Sequence, residues 1–380
     1  MKREIDKKKP KFNFFVKKAP MDTLFLVLVI ALLIMGLIMV FSASYATAYF
    51  KMKDSYFYIK KQAMFAGLGL IAMYFLSKIN YNFLRILALP AYIISIITLV
   101  LVMAMGSDAK GAGRWLDLGF ARFQPSEVAK LGLILFLALF ISVNYNKMHK
   151  FVNGILYPAG IIGVMAVLIV IEPHLSGTLL ICSIGFCMMI VGGANLKFIG
   201  ILGAIGGAAA IFVVSNFSYM QDRIQTWLHP ELDPLGKGFQ TMQSLYAIGS
   251  GGFFGLGLGK SRQKYLYIPE PQNDFIFSII CEELGFIGAF LIMAVIAFLC
   301  YRGFVIAWGA PDKFGALLVV GIIVQVAVQT LLNIAVVTNA IPPTGISLPF
   351  FSYGGTALTM LLAEMGIVLS VSRQSRLKKE

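Results

Sequence analysis

A few ionisable side chains stand where this sequence is most apolar. In "PEPQNDFIFSIICEELG", Asp274 marks the rim of an apolar run and Glu282 and Glu283 lie inside it. In "GRWLDLGFARFQPSEVAKLGL", Glu127 and Lys130 open another such run. Acids and bases are costly to hold in hydrocarbon, so at such places they mark functional sites by default, as groups that handle protons or hold ions. Each has a structural alternative. Asp274 follows Asn273 at the start of a run, where a carboxylate can cap a helix and meet its dipole. Glu127 and Lys130 are spaced i,i+3 behind Pro125, so they can neutralise one another in a first helical turn. Glu282 shares a helix face with Asp274 and Ser278 at i, i+4, i+8. Glu283 points about 100° away from it, so one of the two is expected to bond to a neighbouring helix. Glu282 is the better candidate for lining a cavity below Asp274. Gln325, Gln329 and Asn333 also repeat at i, i+4, i+8, which suits interhelical hydrogen bonding. Glu364 is expected to be paired internally.

The elements that must position these groups are membrane helices. Hydrophobic residues make up 58% of the 380-residue chain and charged residues 13%, too few charges for a soluble protein of this size. Apolar runs of roughly 20 residues recur, each long enough to cross a hydrocarbon core of about 30 Å. Irregular backbone cannot face lipid, and unbroken runs do not read as barrel strands. The expectation is an all-α polytopic membrane protein with about ten transmembrane helices, over approximately 22–44, 59–77, 83–105, 125–145, 153–171, 175–193, 195–216, 274–302, 314–337 and 354–372. Only "GGAN" separates the sixth from the seventh. The first run is too long, and flows on too smoothly, for a cleaved signal peptide.

Basic residues set the orientation. The N-terminal tail holds about 8 Lys and Arg, and its side of the membrane about 19 of the chain's 32, against roughly 7 in the short loops opposite. Both termini are therefore expected in the cytoplasm, and the large 217–273 loop between the seventh and eighth helices outside. The chain divides into a basic tail over 1–21, a single membrane domain over 22–373 and a short basic tail over 374–380. The net charge of +14 reflects this bias and attraction to anionic lipid, not nucleic acid, since no basic patch lies on a soluble domain. Cys182, Cys187, Cys281 and Cys300 fall inside expected spans and read as small apolar residues. No His/Cys metal cluster and no fixed-period repeat stands out, so an inverted-repeat transporter gains no support.

Two loops carry further patterns. "GSGGFFGLGLGKSRQ" ends like a nucleotide-binding loop, but the first glycine of GxxxxGK[ST] would fall on Phe254, so it reads as a flexible, close-packing glycine segment. Upstream of it, Phe239, Met242, Leu245, Tyr246 and Gly249 have helical spacing, which predicts a short amphipathic helix. Downstream, prolines on either side of Glu270 are expected to keep the return to the membrane extended. "NAIPPTGISLPFFSYGGTA" reads as a rigid, uncharged loop that lines a cavity or packs on protein.

These motifs together resemble the SEDS proteins (shape, elongation, division and sporulation), polytopic peptidoglycan polymerases typified by FtsW, RodA and SpoVE. The carriers are "GRWLDLG" with "QPSEVAK", "DPLGKGFQTMQSLYAIGSGG", "GLGLGKSRQKYLYIPEPQNDFIFSIICEELGFIG" and "NAIPPTGISLPFFSYGGTA". "KYLYIPEPQNDFIF" looks more like the FtsW and SpoVE branch than the RodA branch. The resemblance implies polymerisation of lipid II on the outer face of the bacterial plasma membrane. The C4 hydroxyl of an incoming GlcNAc attacks C1 of the donor MurNAc, a β-1,4 bond forms, and undecaprenyl pyrophosphate leaves. Such chemistry needs a base at the hydroxyl and positive charge at the pyrophosphate. Asp274 matches the family's essential acid and is implied as the base. Glu127 and Lys130 match its functional pair. Arg114 and Trp115 match a patch suited to pyrophosphate and to a sugar or lipid face. Ser352 lies in the matching "SYGG" loop with an implied cavity-lining role. Departures are Asn273 where many members carry Thr, "SYGGTA" for "SYGGSS", and His174 where many carry Asp.

The implied partners are lipid II, the nascent glycan strand, a class B penicillin-binding protein and other divisome or elongasome membrane proteins. Magnesium or manganese is implied as an aid to the leaving pyrophosphate, without an organic cofactor. The competing functions are a lipid II flippase and a non-catalytic division scaffold. An acid at the outer rim favours chemistry over transport, and a scaffold would not need Asp274, Glu127 and Lys130.

Overall fold

The computed structural model describes residues 20–105, 115–117, 122–172, 175–216, 218–233, 236, 238–265 and 267–375. Twelve α-helices account for most of it: α1 Thr23–Met52, α2 Phe57–Lys78, α3 Leu84–Met105, α4 Pro125–Val143, α5 Tyr157–Ile171, α6 Leu175–Val191, α7 Leu196–Asn216, α8 Ser218–Leu228, α9 Phe239–Gly251, α10 Ile276–Trp308, α11 Lys313–Val337 and α12 Gly355–Arg373. Beside them the described residues form a two-residue antiparallel ladder, β1 Leu116–Asp117 with β2 Arg122–Phe123, and the all-α expectation holds.

Among the described residues, eight helical stretches are long and apolar enough to cross a membrane: α1, α2, α3, α4, α5 together with the π-helical turn Val152–Leu156 that leads into it, α10, α11 and α12. The expected sixth and seventh spans fall on α6, with 17 residues, and on the Leu196–Ala208 part of α7. At 1.5 Å per residue α6 is about 26 Å long, slightly short of the hydrocarbon thickness. The expected outer loop contains α8 and α9, and α9 is the amphipathic helix that the spacing predicts.

Alternate crossings bring the starts of α4, α10 and α12 and the end of α11 to one end of the bundle. The packing centres on α11, where 72% of the most apolar stretch is buried, against 22% for α2. Close helix approach uses small residues. In the α2–α12 pair, a Cβ on Gly69 would meet Leu362 Cδ1 at 2.6 Å and one on Gly366 would meet the Met73 carbonyl oxygen at 2.6 Å.

At the opposite end, two carboxylates tie the helices together. Asp22 caps α1 by accepting from the Phe25 N–H at 3.0 Å and pairs with the Arg302 guanidinium of α10 at 2.7 Å. Its own N–H donates to Ser372 of α12. Asp312 caps α11 through the Gly315 N–H and accepts from Arg85 and Tyr81 beside α3.

The helix α10 is broken at Gly285, whose φ of 67° and ψ of −171° lie outside helical space. The glycine segment after α9 fills the break. Leu256 and Gly257 N–H groups donate to the Glu282 and Glu283 carbonyls, and Phe286 and Ile287 N–H groups donate to the Gly252 and Phe253 carbonyls. The close-packing part of the sequence reading is met by these bonds.

Candidate active site

Pro125 opens α4 and puts Glu127 in its first turn, so the Lys130 side chain lies one turn deeper. Glu127 Oε2 meets Lys130 Nζ at 2.8 Å, with the two side chains 12% and 5% exposed. The i,i+3 pair expected from the spacing is therefore formed, and it is buried. The ammonium also donates to Gln329 Oε1 of α11 at 3.2 Å. Gln329 in turn donates through Nε2 to Ser347 in the loop before α12, and Gln325, one turn below, donates to Glu364 of α12 at 2.8 Å. Internal pairing of Glu364 is thus observed.

Above this polar chain is a cleft of about 370 Å³, open mouth included, lined by Glu127, Lys130, Gln325, Gln329, the 347–350 stretch, Ser352, Gly354 and one face of α12. Its walls come from α4, α11, α12 and the loop between the last two. Each of the two side chains answers the other there, and the amide of Gln329 supplies a further bond.

Asp274 is not among the cleft-lining residues. It stands at the rim, half-buried, on the segment that leads into α10. The N-cap position of α10 is Phe275, whose side chain makes no cap bond, and Asp274 stands one residue before it. A Cβ on Gly345 would come within 3.2 Å of Asp274 Oδ2, and Gly345 has a φ of 69°. Glycine there leaves the carboxylate its space. Asn333, the third amide of α11, donates to the carbonyls of Asp274 at 2.7 Å and Ile346 at 2.6 Å. The Tyr353 N–H donates to the Gln272 carbonyl at 2.7 Å.

Ser352 lines the cleft, yet its hydroxyl is committed. It accepts from the Leu348 N–H at 2.6 Å and donates to the Asn273 carbonyl at 2.9 Å. It joins the cleft wall to the segment carrying Asp274. Gln62 of α2 holds the same loop, donating to the Ser352 carbonyl and accepting from the Gly354 N–H, both at 3.2 Å. The return segment is not extended: Glu270 has a φ of 49°, and the Asn273 N–H closes a turn on the Glu270 carbonyl.

Other sequence expectations divide. Trp115 is half-buried beside the short ladder and is not among the residues that line the cleft, while Arg114 and His174 lie outside the described residues. Glu282 does not line the cleft. It is 1% exposed and accepts from Ser261 Oγ and the Arg262 N–H, so the loop and not a cavity occupies that face of α10. Glu283 bonds to a neighbouring helix, through Ser42 of α1. Cys281 and Cys300 are buried, Cys182 and Cys187 half-buried, and all four are free thiols.

Sequence reasoning missed Gln62, Ser42, Ser347 and Lys264. A glutamine at position 62 near the start of an apolar run was a usable signal. Lys264 gave none, because a lysine in a polar loop reads as solvated. Among the described residues no three His, Cys, Asp or Glu side chains gather in a metal-sized group.

Residues 22–377 match the FtsW/RodA/SpoVE family, described as "Cell cycle protein". The chain is 45% identical over 365 residues to "Stage V sporulation protein E" of Bacillus subtilis (strain 168), covering 95% of this chain and 99% of that relative. It is 37% identical over 356 residues to "Probable peptidoglycan glycosyltransferase FtsW" of Trichlorobacter lovleyi, covering 93% of each. Among solved structures it is similar to a chain from "Structural coordination of polymerization and crosslinking by a peptidoglycan synthase complex". That match has a TM-score of 0.77 and 30% identity, and covers 93% of this chain and 98% of that one.

Proposed function

The chain belongs to the FtsW/RodA/SpoVE family of cell cycle proteins and is a multi-pass membrane peptidoglycan glycosyltransferase, and on that premise we propose how its cleft carries out the transfer. The substrate is lipid II, and the growing strand on its polyprenyl pyrophosphate is the donor. The acceptor's C4 hydroxyl attacks C1 of the donor MurNAc. The C1–O bond to pyrophosphate breaks, a β-1,4 bond forms, and undecaprenyl pyrophosphate departs with the bonding pair. The hydroxyl proton passes to the Asp274 carboxylate, which is half-exposed at the rim. Lys130 faces the negative charge that gathers on the leaving group, and Glu127 holds the ammonium in place. Ser352 keeps the Asp274 segment against the cleft wall.

The observation that carries this reading is the junction of two sites in one unit. A buried Glu127–Lys130 pair lines a cleft whose wall loop is hydrogen-bonded to the backbone of Asn273, and Asn333 joins that loop to Asp274. The distribution of basic residues, which puts the start of α4 and the end of α11 on the outer side, supports a cleft that faces the cell exterior. A divalent cation would shield the pyrophosphate charge and would draw most of its ligands from the substrate's oxygens. The partner is a class B penicillin-binding protein, a reading supported by the structural likeness to a chain of a peptidoglycan synthase complex.

The test is purified protein with labelled lipid II and the cognate partner. Glycan strands should form with wild type and be absent with Asp274→Asn. Absence of polymer from wild type, with labelled lipid II crossing liposomes instead, would replace this reading with a flippase.

A further inference from the structure

The geometry points to the buried Lys264–Glu283 ion pair as a positioning device for Asp274. The inference rests on Asp274 being the base. Both side chains of the pair are wholly buried, and Lys264 Nζ meets Glu283 Oε1 at 2.8 Å. Such a pair is poor value for stability alone, because desolvating two charges offsets most of their attraction. Its place in the chain gives it a different use. Lys264 and Glu283 flank Asp274 almost symmetrically, so their pairing closes a loop with Asp274 near its middle.

One arm of that loop is the first two turns of α10, stiff and about 12 Å long. In the other arm, residues 265 and 267–273 have no regular structure of their own and bend at Glu270. It is fixed at the top by Asn333, Ser352 and Tyr353. At the base, Lys264 and the Glu282 collar on residues 261–263 do the fixing. The base is also bound to α1. Ser42 Oγ donates to the Glu283 carboxylate at 2.8 and 2.6 Å, and the Tyr45 ring lies 5.0 Å from the ammonium. Glu283 reaches neither the cleft nor solvent, so it acts on the reaction through the loop and not by touching substrate.

Loosening the base lets the irregular arm drift. A displacement of about 1 Å at a catalytic group can cost about 100-fold in rate. The experiment compares Glu283→Gln, Lys264→Met and the double variant, with Ser42→Ala and Ser42→Thr as milder changes. Each is assayed for polymerisation of lipid II in the full complex, with thermal melting alongside. The single variants should lose about 100-fold in kcat with KM within about twofold. The double variant, uncharged on both sides, should recover most of that loss. Ser42→Ala should lower kcat several-fold and Ser42→Thr restore it. These two keep the question answerable if a single charge variant fails to fold.

A melting temperature that falls while kcat per folded molecule holds would overturn the proposal, as would a rise in KM at constant kcat. Asp274→Asn is run in parallel. If it stays active, the assignment of the base fails. If it is dead while the Ser42 and Glu283 variants keep their kcat, only the positioning role fails.

Discussion

Replacing Gly285 with alanine tests the broken helix most directly. An added Cβ would fall 2.3 Å from the Gly255 nitrogen, 2.6 Å from the Phe253 carbonyl oxygen and 2.6 Å from the Phe254 carbonyl carbon. All three are backbone atoms, so no side chain can swing aside. The φ of 67° with ψ of −171° is a region that only glycine occupies readily, and holding alanine there costs about 1–3 kcal/mol. Relieving the overlap moves the 252–257 segment away and breaks its four hydrogen bonds to α10. At about 0.5–1.5 kcal/mol each, those bonds add about 2–6 kcal/mol, for a total of roughly 3–9 kcal/mol. Gly249 is the control. It lies in α9 with nothing within 4 Å of an added Cβ, so alanine there should be neutral or stabilise by about 0.5–1 kcal/mol. Thermal unfolding in detergent reads the difference, and lipid II polymerisation should fall with Gly285→Ala alone. If Gly285→Ala melts together with wild type and Gly249→Ala, the ladder does not hold the break and the reasoning is refuted.

Lys130→Met should destabilise by about 3–5 kcal/mol, since it leaves Glu127 buried without its cation, and Glu127→Gln with Lys130→Met should cost clearly less. Chemical denaturation of wild type and the two variants measures this, and both variants should lose polymerisation. Gln62→Ala leaves the Ser352 carbonyl and Gly354 N–H short of their partner, so it should cost about 1–3 kcal/mol and raise the KM for lipid II. In the α1–α2 turn, the hydrogen bond from Lys60 holds the Asp54 carboxyl below the usual carboxylate range, with help from the Tyr56 N–H. Its small contribution to the turn is therefore present above the unfolded carboxylate pKa and lost as pH falls through the depressed folded value. In Lys60→Met the Asp54 titration midpoint, followed by carbon NMR, should rise.

Membrane class and eight of the ten expected span positions were legible because lipid imposes a length and a polarity on every crossing. The Glu127–Lys130 pair was legible because an i,i+3 spacing on one helix fixes who meets whom. The amides of α11 were legible as hydrogen-bonding groups, but their partners were not, since those come from residues far along the chain. Glu282 shows the limit clearly. Its helical face was read correctly, yet what lies against that face is the loop 261–263, a tertiary fact without local signal. The break at Gly285 was hidden for a related reason. One glycine in an apolar run reads as a tolerated helix residue until a second strand of backbone arrives to take up its hydrogen bonds.

The three amides of α11 each answer to a different part of the molecule: Gln325 to α12, Gln329 to Ser347 and to Lys130 of α4, and Asn333 to Asp274 and Ile346. They are spaced one turn apart, so together they work like the teeth of a key. Sliding α11 along its axis by one turn, about 5.4 Å, would offer every tooth to the wrong lock. Piston motion of the central helix is thereby forbidden. Any rearrangement during the catalytic cycle has to come from tilting the surrounding helices about a fixed axle, which confines movement to the walls of the cleft and keeps its floor constant.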